Sequence, residues 1–182
     1  MKDEALKETL LSKETMFTGH IMTVERWQAR LADGSPAQRE IVRHQGAAAV
    51  VAVDDQNRVV LVRQYRCPLE RITLEIPAGK LDHPGEEPLG CAQRELKEET
   101  GFTAESWQKL MPMASTPGFC DEVIHLYLAR GLHTGTAVPD EGEFINTCTI
   151  PLHEAVNRVM AGEIQDAKTA LGLLMAWHLL NG

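Results

Sequence analysis

The sequence predicts an α/β protein in three layers, an α/β/α sandwich on a mixed sheet, preceded by a β-hairpin extension. Three stretches carry that expectation. Residues 46–53, GAAAVVAV, form a continuous small and β-branched run, the composition of a strand covered on both faces. Residues 88–100 place apolar side chains at three- and four-residue spacing, between a proline suited to a first helical turn and a glycine suited to a helix end. Two further helical stretches, 152–161 and 166–180, close the chain. A strand buried on both sides requires helices on both sides, and these are the helices on offer.

Taken in order, the first 45 residues are rich in β character. Residues 16–18, 21–28 and 38–44 are β-branched, aromatic or alternating, with a turn at Asp33-Gly34-Ser35-Pro36. Hairpins this short hold no core of their own, so residues 1–45 must dock on the main domain, 46–182, or on a second copy of the chain. After the 46–53 strand, Asp54-Asp55-Gln56-Asn57 makes a turn and 58–65 reads as the return strand. Residues 72–76 then lead into Pro77-Ala78-Gly79. Beyond the 88–100 helix, 107–113, 123–129 and 144–150 read as strands.

Composition narrows the function classes. At 182 residues and 43% hydrophobic, the chain can bury one substantial core. A formal net charge of −8 without a basic run argues against nucleic-acid or membrane-surface binding. Small anionic substrates stay open, because a metal and a few arginines suffice to hold them. Cys67, Cys91, Cys120 and Cys148 show no CxxC spacing, so reduced thiols are expected rather than a zinc site. The opening MKDEALKETL lacks signal-peptide character and no apolar run reaches 18 residues, which leads us to expect a soluble cytoplasmic protein.

The chemistry concentrates in residues 79–102, GKLDHPGEEPLGCAQRELKEETGF. Leu89, Ala92, Leu96 and Thr100 would form one buried stripe, with Glu95, Glu98 and Glu99 crowded on the other side. Two carboxylates ~5 Å apart at an effective dielectric of ~20 repel by roughly 3 kcal/mol, so the cluster invites a hard divalent cation, Mg²⁺ or Mn²⁺. A Glu-rich helix face alone is more often solvated surface. The residues around it change that reading. Glu86 and, after a gap of seven, Arg94-Glu95-Leu96-Lys97-Glu98-Glu99-Thr100-Gly101-Phe102 closely resemble the Nudix hydrolase box. Gly79 lies one position further from Glu86 than the box prescribes, which we read as one extra loop residue.

The resemblance implies a Nudix fold and metal-dependent attack on a diphosphate. Glu95 and Glu99 would ligate the metal with the Ala78 carbonyl, and Glu98 would complete a multi-metal cluster. Gly101 would end the helix, and Arg94 would bridge box carboxylates and loop carbonyls. Glu86 would stand at the helix start, either touching metal through water or favouring the helix dipole.

Three further segments resemble the ADP-ribose and nucleoside-diphosphate-sugar pyrophosphatase branch. They are Leu74-Glu75-Ile76-Pro77-Ala78-Gly79, the Ser115–Glu122 stretch with Pro117 sixteen residues past Gly101, and Arg39-Glu40-Ile41 together with Arg63-Gln64-Tyr65-Arg66. In that branch the general base resembles a glutamate on a loop before the last strand. Pro139-Asp140-Glu141-Gly142-Glu143 occupies this place, so Glu141 is the first candidate and Glu143 its partner; an acidic surface loop is the alternative. Arg66 matches the branch's phosphate-contacting arginine, with Gly79 beside the substrate. Arg39 and Glu40 resemble a pair near the nucleobase, and Phe119 and Glu122 would shape the terminal-ribose end. Trp27 or Phe17 could stack a base, although a lone aromatic in a strand is more often core.

The expectation is thus Mg²⁺-dependent hydrolysis of ADP-ribose and related nucleoside diphosphate sugars, giving a nucleoside monophosphate and a sugar phosphate. A homodimer that exchanges its N-terminal hairpins would explain a segment without a core. One alternative is a Nudix hydrolase of dinucleoside polyphosphates or nucleoside triphosphates. Another is a non-catalytic nucleotide-binding module, which the four intact box glutamates speak against.

Overall fold

The computed structural model describes residues 3–83, 85–140 and 142–182. They fall into two compact units, one of residues up to 46 with 114–122, the other of residues 47–113 and 123–182.

The first unit is a three-stranded sheet, β1 (Thr9–Thr18), β2 (Met22–Arg30) and β3 (Pro36–His44), in the order β1-β2-β3. Both pairings are antiparallel. Asp33 builds the β2–β3 turn by accepting from Ser35 N–H and Oγ at 2.9 and 2.6 Å. β1 starts well ahead of residue 16, where alternation had suggested a strand. The reason lies in its register, which shifts between Leu10 and Ser12 and again between Thr15 and Phe17. Each bulge carries an extra residue and breaks the period of two on which strand reading depends. All ten residues of β1 are exposed, including Leu10, Leu11, Met16 and Phe17. The 114–122 segment joins this unit along β3: Val42 N–H donates to Phe119 O at 2.7 Å, and His44 N–H to Asp121 Oδ1 at 2.8 Å.

The second unit is built on a seven-stranded sheet. β4 (Ala47–Val53), β5 (Arg58–Arg66), β8 (Thr103–Ala114), β9 (Val123–His133) and β10 (Asn146–Pro151) run in the order β10-β5-β4-β9-β8, while β6 (Arg71–Glu75) pairs with β5 and β7 (Ala78–Lys80) with β4. β4 is parallel to β9 and antiparallel to β5 and β7, so the sheet is mixed. Three helices complete it: α1 (Pro88–Thr100), α2 (Leu152–Met160) and α3 (Ala167–Asn181).

The GAAAVVAV run explains the layering. Successive side chains of a strand point to opposite faces. Ala47, Ala49, Val51 and Val53 enter one core with Leu61, Leu126, Leu152 and Leu173, beneath α2 and α3. Ala48 packs with Cys91 and Ala92, and Val50 and Ala52 with Leu96, beneath α1. β4 therefore serves two cores, and its small side chains let helices approach from both sides. Among the described residues no helix is long and apolar enough to cross a membrane.

One edge of β4 is shared. β5 meets it only at Val53↔Val59 and Ala52↔Val60, then continues alongside β6; β7 takes the other end, at Ala47↔Lys80 through Ala49↔Ala78. The connection between β6 and β7 crosses this split, pinned where Val50 N–H donates to Pro77 O at 2.9 Å.

Candidate active site

α1 ends at Gly101, whose left-handed φ of 76° and N–H to Lys97 O form a glycine cap. Gly101 also lies against Gly135 so closely that a β-carbon on either would collide with the other's backbone or its neighbours. The buried stripe of α1 is Cys91, Ala92, Leu96, Glu99 and Thr100. This corrects two expectations. Leu89, in the first turn at the margin of the stripe, is 37% exposed and leaves its place to Cys91. Glu99 is not on the opposite side from the stripe but within it, 4% exposed. Residues three apart on a helix lie only ~60° from one another, so Glu99 shares the sector of Leu96.

Burial there is possible because Glu99 Oε2 accepts from Ala78 N–H at 3.1 Å. Glu95 lies against the neighbouring residue: a β-carbon on Gly79 would overlap its carboxylate. Glycine is thus required at 79 by close approach. Glu98, one face further round, shares Arg94 with Glu95; Nη1 donates to Glu95 Oε1 at 2.7 Å and to Glu98 Oε2 at 3.0 Å. The same guanidinium reaches Lys80 O at 3.3 Å, Asp82 Oδ2 at 3.3 Å and Glu86 Oε1 at 3.7 Å. Glu86 lies before the helix, whose N-cap position is Glu87, and accepts from Asp82 N–H. Arg94 thus ties Lys80, Asp82 and Glu86 to α1.

Electrostatically the two inner carboxyls are strained toward protonation. Burial pushes Glu95 up to about 7; Arg94 opposes this, while Glu98 and Glu143 reinforce it. Burial likewise pushes Glu99 up to about 8, with the Glu95 charge adding to the rise, the Ala78 N–H opposing it and Glu143 again contributing. The contribution to both puts the Glu143 charge in the neighbourhood of the cluster. Val138 and Thr147 are both tied to α1: Val138 N–H donates to Glu98 O at 2.9 Å, and Thr147 Oγ1 to Glu99 O at 3.3 Å. Glu141 lies outside the described residues.

Arg66 belongs to the same neighbourhood, since its charge and that of Glu99 each favour the ionised form of the other. Its Nε and Nη2 donate to Glu75 at 2.8 and 2.6 Å. Glu75 also receives Thr73 Oγ1 and Lys168 Nζ. Sequence reading missed Glu75, Lys168 and Thr169 as a set. The signal was polar Asp166, Lys168 and Thr169 in the first turn of an otherwise apolar helix.

The remaining candidates lie in the first unit. Arg39 Nη2 donates to Glu8 at 2.6 Å, Glu40 stands opposite Arg26 in the β2–β3 register, and Phe119 is 54% exposed. Glu122 lies 3.5 Å from His44 Nδ1. Trp27 donates Nε1 to Glu25 at 2.8 Å.

Residues 43–171 match the NUDIX domain profile. The chain belongs to the NUDIX family. Among proteins similar to this Nudix chain, an ADP-ribose pyrophosphatase of Bacillus subtilis (strain 168) is 41% identical, over 93% of this chain and 92% of that one. A methanol dehydrogenase activator of Bacillus methanolicus is 42% identical, over 92% and 91%. The crystal structure of an ADP compounds hydrolase superposes with a TM-score of 0.84 and 26% identity, covering 97% of this chain and 95% of that one. The mixed α/β architecture is therefore that of a Nudix hydrolase.

Glu95, Glu99 and the Ala78 carbonyl would offer only oxygen, and a buried Glu99 whose charge is opposed by that of Glu95 suits a hard divalent cation. Among the described residues no group of three acidic, thiol or imidazole side chains forms a ready cation cage. A bound cation would take further ligands from backbone, water or substrate. Cys91 takes no part: burial pushes its thiol up to about 12, and Sγ faces the Gly79 and Lys80 carbonyls.

Proposed function

We propose that this Nudix enzyme hydrolyses the diphosphate bond of ADP-ribose and related nucleoside diphosphate sugars, releasing a nucleoside monophosphate and a sugar phosphate. The observation that carries the reading is the meeting of Glu95, Glu99 and the Ala78 backbone with Glu143 and Arg66 nearby. The relatives named for ADP-ribose or ADP compounds support the substrate class.

Glu95, Glu99 and the Ala78 carbonyl would hold Mg²⁺, with Mn²⁺ able to replace it and Glu98 serving a further ion. The chemistry supplied there would be neutralisation of phosphate oxygens and acidification of water. Arg66 grips a phosphate oxygen with N–H groups that Glu75 leaves available. Water attacks phosphorus, the bond to the bridging oxygen breaks, and Glu141 takes the proton while Glu143 orients it. Arg39 and Glu40 select the base, and Phe119, Glu122 and Gly79 border the sugar phosphate.

The test is a product assay with Mg²⁺ over ADP-ribose, UDP-glucose, other nucleotide sugars, diadenosine polyphosphates and nucleoside triphosphates. A kcat/KM preference for nucleotide sugars with release of monophosphate supports the reading. Turnover only of triphosphates or dinucleotides moves the enzyme to another Nudix branch, and tight binding without turnover makes it a nucleotide sensor.

The two loop acids separate by kinetics. Glu141→Gln is expected to lower kcat by about 10²–10⁴-fold, the usual worth of a general base, with little change in KM. Glu143→Gln is expected to cost about tenfold or less. A reversed order assigns the base to Glu143.

Residues 1–45 are proposed to mediate a homodimer in which they cross to the partner, since β1 is exposed along its whole length with Leu10, Leu11, Met16 and Phe17 among its residues. Light scattering should give twice the mass of one 20.2 kDa chain, and Leu10→Glu/Phe17→Asp should halve it. A wild-type monomer would remove the proposal. The cytoplasm is the compartment proposed, in keeping with four unpaired cysteines.

A further inference from the structure

Arg66 is held from behind by a chain of groups that no step of hydrolysis uses. Its Nε and Nη2 each commit one N–H to Glu75, at 2.8 and 2.6 Å. A guanidinium has five N–H groups in one plane, so Nη1 and the second N–H of Nη2 form an edge turned away from Glu75. No partner meets that edge among the described residues.

Glu75 is 2% exposed and accepts on both oxygens. Thr73 Oγ1 donates to Oε1 at 2.6 Å, and Lys168 Nζ donates to Oε2. Lys168, buried in the first turn of α3, also donates to Asp166 Oδ2 at 2.9 Å. Asp166 in turn caps α3 through Thr169 N–H at 3.0 Å, and Thr169 Oγ1 accepts from Ile76 N–H at 2.9 Å. The start of α3 therefore grips the strand end that leads to Ala78 and Gly79.

Two cations and two carboxylates balance in this group. Without Lys168, Arg66 would face both Glu75 and Asp166, and the balance beside it would turn negative. An arginine so surrounded offers little attraction to a diphosphate.

We propose that Lys168, Glu75 and Thr73 are positioning residues for the diphosphate: Glu75 and Thr73 aim the open edge of Arg66, and Lys168 keeps its charge available to substrate. This rests on the reading of Arg66 as a phosphate contact.

The test is a double-mutant cycle on the full-length enzyme with ADP-ribose and Mg²⁺. Lys168→Met should raise KM about tenfold or more with kcat within about threefold, as loss of uniform binding does, and Lys168→Arg should restore most of it. Arg66→Ala should cost at least as much, and adding Lys168→Met to it should change kcat/KM less than about twofold, because the two act through one contact. An equal penalty for Lys168→Met in both backgrounds, or a fall in kcat at constant KM, overturns the proposal. An Arg66→Ala enzyme with unchanged kcat/KM overturns it by a different route, showing that Arg66 is no substrate contact. Should Lys168→Met not fold, Thr73→Val removes the hydroxyl that faces Glu75 at 2.6 Å and, more distantly, Gln64 O at 3.3 Å, at nearly constant shape. It should raise KM about threefold in wild type and not in Arg66→Ala; the same rise in both overturns the proposal.

Discussion

Glu99→Gln is expected to abolish turnover, with kcat/KM down at least about 10³-fold, while the metal-free protein becomes more stable at alkaline pH. Both effects come from one buried carboxyl. Its value in the folded chain is about 8, set by burial first and the Glu95 charge second, against an ordinary value of 4.5. Between those values the folded state holds a proton that the unfolded state has released. Metal-free wild type therefore loses stability as pH rises from about 4.5 toward 8, by at most about 1.4 kcal/mol per pH unit for this group. An amide at residue 99 does not titrate, so the variant should lack this slope. Thermal unfolding in EDTA should show little difference between the two proteins near pH 4.5 and a higher Tm for the variant near pH 8. Saturating Mg²⁺ should reverse the order at pH 8, because the cation stabilises only the chain that ionises to receive it. Normal turnover in the variant would remove Glu99 from the cation site. Parallel Tm curves would show that its burial carries no proton.

Gly79→Ala should be nearly as damaging for a geometric reason. The added methyl overlaps the Glu95 carboxylate, so one of the two must move. Gly79 stands opposite Ala48 in the β4–β7 ladder, and Ala48 is fully buried, which leaves Glu95 to yield. We expect kcat to fall about 10²-fold with a stability loss of about 1–3 kcal/mol from overpacking. Gly90→Ala is the control: a β-carbon there meets nothing within 4 Å, and α1 should gain about 0.5–1 kcal/mol with activity unchanged. Steady-state kinetics and calorimetry on both variants decide it. A fully active Gly79→Ala enzyme would mean that the observed position of Glu95 is dispensable.

Much of the fold was legible because it rests on local rules. The two-faced burial of β4 follows from its unbroken apolar run, and α1 from its terminal proline and glycine with the carboxylates between. The rest failed for physical reasons that differ by element. β1 hid because its two bulges disrupt alternation at Leu10–Ser12 and Thr15–Phe17. β7 hid because three residues flanked by proline and a loop carry no period at all. In the site, spacing placed Glu95, Glu98 and Glu99 on one helix but misjudged the depth of Glu99, which depends on the Ala78 N–H offered by a distant strand. The ion pair of Glu75 with Lys168 joins residues 93 apart in sequence, and no local pattern announces such a partner.

The parallel pairing of β4 with β9 also sets an order of assembly. Ala47 finds Ile124 and Ala52 finds Ala129, so this edge of a valine- and alanine-rich strand has no partner until most of the chain has been synthesised. α1 emerges from the ribosome in the interval, with Cys91, Ala92 and Leu96 awaiting a sheet that β9 has not yet completed. Distant strand pairing of this kind is slow, and an open apolar edge is what aggregation recruits. The β4 edge thus stays open while the helix that bears Glu95 and Glu99 leaves the ribosome, and the contacts of Val138 and Thr147 with that helix can form only after β9 has been made.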